Sequence, residues 1–148
     1  MPTQVILPWT GPAVQYYDRN PTTIINLAAL NIGEATRAET EEWTYTVPAG
    51  RRALIALLQL GVENRSTMAT DDLARVDIDY TPSGSSEQRV ISVELPPGNA
   101  GTPNNHILTP QWFIFPADVL QGVTTVTNDA PGSVLILRVG MTATEFDN

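Results

Sequence analysis

Apolar and polar residues alternate with a period of two along much of this chain. Large apolar side chains take alternate positions in segments 43–47, 75–80, 91–95 and 135–143. The last segment has the longest apolar row: Leu135, Leu137, Val139, Met141 and Ala143. Because successive side chains of a strand point to opposite faces, this alternation predicts half-buried β-strands.

Two segments do not follow a single period. Residues 52–62 are rich in helix-favouring alanine and leucine, yet both alternating rows contain apolar residues, one of them throughout. We expect a strand buried on both faces, with its apolar row formed by Leu54, Ala56, Leu58, Leu60 and Val62. Residues 33–42 form the only plausible helix, but they carry four glutamates and little apolar surface. We expect a short helix or a loop there.

Turn residues separate the predicted strands. Proline and glycine occur at 48–50, 82–84 and 128–132. Residues 96–105 are predicted to form a long surface loop. Many short strands joined by such turns predict an all-β fold. The sequence therefore predicts one domain, residues 23–148, folded as a jelly-roll-like β-sandwich.

The first 22 residues differ from the rest. They contain Pro2, Pro8, Pro12 and Pro21. Because proline fixes φ and removes a hydrogen-bond donor, residues 1–22 are predicted to form an extended N-terminal arm. The arm either lies across a neighbouring subunit or folds back on its own domain. Its aromatic residues are the candidate partner-binding side chains: Trp9, Tyr16 and Tyr17.

Charge narrows the range of partners. The net charge is −8, so phosphate backbones should repel the chain, and we expect no nucleic-acid partner. No apolar run approaches the roughly 20 residues of a membrane span, and we expect no membrane partner. Charged residues are 16% of the chain, against about 25% in ordinary domains. Either partners cover part of the surface, or the surface is built from serine, threonine and asparagine.

The residues needed for most enzyme chemistry are missing. The chain has no cysteine and no lysine, and its one histidine, His106, falls in a proline- and asparagine-rich loop. These counts exclude a thiolate nucleophile and a Schiff base, and there is no G-x-S-x-G motif or phosphate-binding glycine loop. We therefore expect no enzyme, no cofactor and no metal site.

Carboxylates are the remaining chemical candidates. Asp77 and Asp79 would project from one strand face about 7 Å apart, a spacing that glycoside hydrolysis or, with Asp71 and Asp72, calcium binding can use. The EF-hand pattern is absent, and the alternation with Val76 already explains both residues. We expect a solvated outer face.

Aromatic residues suggest a carbohydrate-binding or receptor-binding module as the alternative function. Trp43 shares its row with core-type residues, and Trp112 lies in an apolar run, so both are predicted to pack in the core. Only the three aromatic residues of the arm are left for a binding surface.

Two stretches carry a family resemblance: residues 45–53 (YTVPAGRRA), and Phe115-Pro116-Ala117-Asp118 followed by residues 120–122. Both resemble strand–turn–strand segments of jelly-roll proteins in tailed-phage virions. The whole chain is similar to the capsid decoration (auxiliary, or cement) proteins of long-tailed phages that infect Thermus. The resemblance implies a thermostable homotrimer on the outer surface of the capsid, bound to the phage major capsid protein and clamping the expanded shell.

Overall fold

The computed structural model describes residues 21–32, 36–64, 73–95, 103–127 and 134–148. These ranges contain nine β-strands and no helix. The strands are β1 (Thr22–Ile32), β2 (Thr36–Thr46), β3 (Arg51–Asn64), β4 (Leu73–Thr81), β5 (Gln88–Leu95), β6 (Pro103–Leu108), β7 (Trp112–Ile114), β8 (Val119–Thr127) and β9 (Leu135–Asp147). Within them, no helical segment offers the length and apolarity that crossing a membrane requires.

The strands form two antiparallel sheets. Sheet A has the order β1-β9-β3-β6, and β7 also pairs with β3. The strands β6 and β7 share one edge of β3 and are separated by residues 109–111. Sheet B has the order β2-β8-β4-β5. The predicted all-β sandwich is confirmed.

The core lies between the sheets and contains the predicted apolar row of β9, in which every residue is at most 2% exposed. Sheet B contributes Val76, Ile78 and Leu120, all fully buried. Burying each such side chain stabilises the fold by about 1.5–3 kcal/mol. Trp43 packs against this core, as predicted, and its Nε1–H donates a hydrogen bond across the sandwich to the Val139 carbonyl at 3.1 Å.

The strand β3 confirms the prediction for residues 52–62 but corrects its register. A bulge lies between Ile55 and Leu57, so the core-facing residues are Ala53 and Ile55 before it and Leu58, Leu60 and Val62 after it. A bulge adds one residue to one strand and reverses the alternation beyond it. The predicted row was therefore wrong for Leu54 and Ala56.

Two local predictions were wrong. Residues 36–42, expected as helix or loop, belong to β2, where pairing with β8 overrides their helix propensity. Residues 103–105, expected in a loop, begin the edge strand β6, and Pro103 takes its first position, where no ladder donor is needed. The strand β1 begins at Thr22, and residues 1–20 of the predicted arm lie outside the described residues.

Candidate functional site

The outer face of sheet A carries the most exposed large apolar side chains of the described residues. Ile25, Leu27 and Ile107 are 69%, 62% and 67% exposed. The pairing register places Leu27, Gly140, Gln59 and Ile107 in one row across the sheet. Exposed apolar residues on a monomer are ordinarily scattered, whereas these three lie on one face of the sheet.

Charged residues are absent from the middle of this face. Three successive cross-strand rows have no charged side chain, and we define them as the apolar face: Thr23, Ile25, Leu27, Leu54, Leu57, Gln59, Ile107, Phe113, Gly140, Thr142 and Thr144. The Arg138–Glu63 ion pair, 3.6 Å long, borders one end. At the other end the Arg52 guanidinium lies 5.7 Å from the centre of the Phe115 ring. The charged groups therefore frame the apolar face without entering it.

A shallow depression lies in this face beside Gly140. Its volume is about 70 Å³, and Ile25, Leu27 and Leu57 line it together with Thr142. A Cβ atom at Gly140 would lie 2.8 Å from Leu27 Cδ1 and 3.1 Å from the Asn26 carbonyl oxygen. The glycine thus lets the Leu27 side chain lie across β9. Because a cavity of about 150 Å³ is known to hold a benzene ring, this depression fits only a smaller apolar group.

A larger pocket adjoins the apolar face at Phe113. Its volume is about 200 Å³, and its walls are Tyr80 and Val90 from sheet B and Trp112, Phe113 and Ile114 from β7. It opens at the edge of the sandwich, and we name it the edge pocket. Trp112 is 39% exposed here, so the prediction that it packs in the core was wrong. The short strand β7 lies at the edge of sheet A, where no further described strand covers one side of the indole.

The outer face of sheet B is built differently. Asp77 and Asp79 are 0% and 2% exposed, which contradicts the solvated face predicted for them. Arg89 Nε lies 3.2 Å from Asp77 Oδ2 and 3.0 Å from Asp79 Oδ1. Arg75 Nε donates to Asp77 Oδ2 at 2.8 Å, and both arginines also reach Glu39. Two guanidinium groups and three carboxylates therefore form one network, which we name the ion-pair cluster.

The ion-pair cluster holds two positive and three negative side chains. The hydrogen bond to Asp79, chiefly, and contacts with Glu39 and Asp77 raise the pKa of Arg89 above its usual value, against the opposing effect of burial. Both buried aspartates are engaged by arginine, and Asp77 Oδ1 accepts no hydrogen bond in the described part of the chain. Among the described residues, no group of three His, Cys, Asp or Glu side chains could hold a metal ion. The arrangement accounts for both aspartates through ion pairing.

Residues 115–118, in the second segment that carries the family resemblance, form a turn that connects sheet A to sheet B. The Asp118 N–H donates to the Phe115 carbonyl at 3.0 Å, and Ala117 takes a φ of 68°. The Asp118 carboxylate accepts hydrogen bonds from Tyr80 Oη at 2.9 Å and from the Ser83 and Phe115 amides. Burial, chiefly, and this contact with Asp118 raise the pKa of Tyr80 to about 12. These residues fix the turn and one wall of the edge pocket.

A second polar cluster fixes the start of β1. Tyr45 Oη donates to Glu145 at 2.7 Å, and burial, then this carboxylate, raises the pKa of Tyr45. Arg51 contacts Glu145 and Asp147 and donates to Thr22 Oγ1 at 3.0 Å. Thr22, the last residue of the predicted arm and the first of β1, is thereby tied to the end of the sandwich.

The predicted site residues have separate outcomes. Trp9, Tyr16 and Tyr17 lie outside the described residues, and their partner-binding role stays a prediction. His106 is exposed on the strand β6, where its Nε2 lies 2.9 Å from Asn104 Oδ1. The sequence pattern did not predict that Ile25, Leu27 and Ile107 lie on the surface. Adjacent apolar pairs such as Ile24–Ile25 hide which member faces outward, and pairing with β9 decides it.

No family model and no curated protein matches this sequence. Among solved structures, a chain of infectious bursal disease virus Gt strain is similar over 86% of this chain, with 10% identity and a TM-score of 0.43. A second is TmCBM61 in complex with β-1,4-galactotriose, similar over 87% of this chain and 89% of its own, with 10% identity and a TM-score of 0.43. A third is Desmodium yellow mottle tymovirus, over 86% and 88%, with 11% identity and a TM-score of 0.34.

The first likeness is partial, because this chain spans about a third of the length of the bursal disease virus chains. At these identities and TM-scores the likenesses assign neither a family nor a function. The architecture follows from the described strands themselves.

Proposed function

We propose that this chain is a virion structural protein that stands on the outside of a phage capsid as a homotrimer and stabilises the expanded shell. The apolar face is the observation that carries the proposal. Copies that each bear a net charge of −8 repel one another, so contact is favoured where charge is absent. Among the described residues, the apolar face meets this condition, because its three cross-strand rows carry no charged side chain.

Two physical effects make such a protein a clamp. A protein that binds the expanded shell, but not the compact one, stabilises the expanded state by mass action. A trimer that contacts several shell subunits adds these contacts through multivalency. The partners are two further copies of this chain and the phage major capsid protein. In the arm, Trp9, Tyr16 and Tyr17 serve as anchors, since aromatic residues lead interface hot spots.

Co-sedimentation with expanded and unexpanded phage capsids tests the capsid role, with the mass of the free protein measured by light scattering. We expect a trimer that pellets with expanded shells only. Deletion of residues 2–20 should abolish trimer formation or shell binding. A free monomer that pellets with neither shell would overturn the proposal.

A carbohydrate- or receptor-binding module is the second candidate, and the edge pocket is the observation that favours it. Tyr80 and Trp112 present aromatic surface beside a volume of about 200 Å³, and sugar rings stack on such surfaces. A glycan array probed with the fluorescently labelled chain, and with Trp112→Ala as the matched control, tests it. Binding that Trp112→Ala removes would favour this candidate, and no binding above background would reject it.

A further inference from the structure

We propose that the apolar face, continued into the edge pocket, is the surface that binds residues 1–20 of this chain. This inference deepens the proposed function, because it rests on the arm being a contact segment and adds the surface that receives it.

The chain enters the domain beside the apolar face. Arg51 holds Thr22 at the end of the sandwich, and the next residue, Thr23, already belongs to the first uncharged row. From β1 the row crosses β9 and β3 to Phe113 on β7. Three strand spacings make this path roughly 14 Å, which about five extended residues cover. Residues 1–20 are therefore long enough to follow the whole row into the edge pocket.

The composition of residues 1–20 matches this surface. Their only charged side chains are Asp18 and Arg19, the two nearest the domain. The remainder includes the following apolar and aromatic residues: Val5, Ile6, Leu7, Trp9, Val14, Tyr16 and Tyr17. Burying an unpaired charge is costly, whereas apolar side chains gain free energy when they cover apolar surface. Residues 1–17, which carry no charged side chain, are thus a suitable occupant for an uncharged face.

The edge pocket has the size of an aromatic ring. Its volume of about 200 Å³ exceeds the roughly 150 Å³ that holds benzene. Trp112 and Tyr80 provide aromatic walls, against which a ring from Trp9, Tyr16 or Tyr17 can pack edge to face. The prolines of the segment disfavour helix and a continuous strand ladder, so side chains, and not main-chain pairing, would supply the contact.

Disulfide trapping tests this directly, because the chain has no cysteine of its own. Leu7→Cys or Val14→Cys is combined with Ile25→Cys or Ile107→Cys on the apolar face and oxidised in the full-length protein. The matched control combines the same arm cysteines with Thr46→Cys, an exposed position on sheet B. Bond yield is read on non-reducing gels with peptide mapping.

We expect at least a tenfold higher yield of arm-to-face bonds than of arm-to-control bonds, with the arm-to-face bonds formed between chains, because the proposed function makes the arm a contact between copies. Equal yields at face and control positions would overturn the inference. So would Ile25→Cys alone giving disulfide-linked dimers in full yield, because face-to-face contact of two copies would then occupy the surface. Light scattering and capsid co-sedimentation of the cysteine-free protein report on the proposed function separately.

Discussion

The two outer faces of this sandwich reverse the usual placement of charge and apolar surface. On sheet B the carboxylates of Asp77 and Asp79 are buried beneath two arginines. On sheet A the side chains of Ile25 and Leu27 are mostly exposed. Both arginines of the ion-pair cluster find carboxylate partners within the subunit, whereas the side chains of Ile25 and Leu27 have no such role among the described residues. The ion pairs of sheet B bear on stability, and the exposed apolar side chains of sheet A are the basis of the proposed association.

The largest expected difference between the two outer faces is in the unfolding free energy that Asp77→Ala and Leu27→Ala each lose. Removing Asp77 takes away the oxygen that both Arg75 and Arg89 contact, whereas Glu39 still faces both arginines, so the loss is that of two charge-assisted contacts, about 3 kcal/mol of unfolding free energy. Leu27→Ala should cost the isolated domain less than about 0.5 kcal/mol, because its side chain is mostly exposed.

Urea denaturation of the two variants measures both costs at low protein concentration. Glu94→Ala, an exposed carboxylate on the same outer face as Asp77, is the matched control and should behave like the wild type. Equal losses in Asp77→Ala and Glu94→Ala would show that the ion-pair cluster does not stabilise sheet B.

The next largest expected difference is in the stability lost by Gly122→Ala on sheet B and by Gly140→Ala on sheet A. A Cβ atom at Gly122 would lie 2.4–2.7 Å from the Trp43 indole, which is held by its hydrogen bond to Val139. We expect a loss of about 2–3 kcal/mol, as for an overpacked core. At Gly140 the nearest atom is the end of the flexible Leu27 side chain, and the Asn26 carbonyl oxygen, 3.1 Å away, must shift by a few tenths of an ångström, so we expect a smaller loss of about 1 kcal/mol. Thermal melts of both variants check the order, and a larger loss at Gly140 would contradict it.

The sequence predicted the core better than either outer face. The apolar row of β9 has a strict period of two, so its burial followed directly. In β3 the bulge after Ile55 was hidden, because apolar residues occupy both rows. Asp77 and Asp79 looked solvated because Arg89, the residue that pairs with both of them, comes from another strand, β5. Ile25 was missed for the same reason: pairing between distant strands decides which side of the sheet a residue faces.

A smaller effect concerns Tyr80, which lines the edge pocket from sheet B. The pKa of Tyr80 is raised to about 12 by burial and by Asp118, so the folded state favours its protonated form. This stabilisation is complete below pH 10, the unfolded pKa, and is lost as the pH rises from 10 to 12. Tyr80→Phe should cost about 1 kcal/mol at pH 8 and show a shallower decline above pH 10.

Urea denaturation at pH 8 and pH 11.5 measures this decline. Tyr45 is present in both the wild type and Tyr80→Phe, so the difference between their losses of unfolding free energy reports on Tyr80 alone. Identical declines in both proteins would contradict the assignment.

The mass of the free protein in solution tests the central claim that the apolar face is a contact surface. Ile25→Asp with Leu27→Asp places two charges on β1, and Thr44→Asp with Thr46→Asp places the same charges on β2, the edge strand of sheet B. By light scattering, the wild type and the β2 variant should have equal masses well above the 16.1 kDa of one chain, and the β1 variant should fall to a monomer. An unchanged mass in the β1 variant, or a monomeric wild type, would contradict the account.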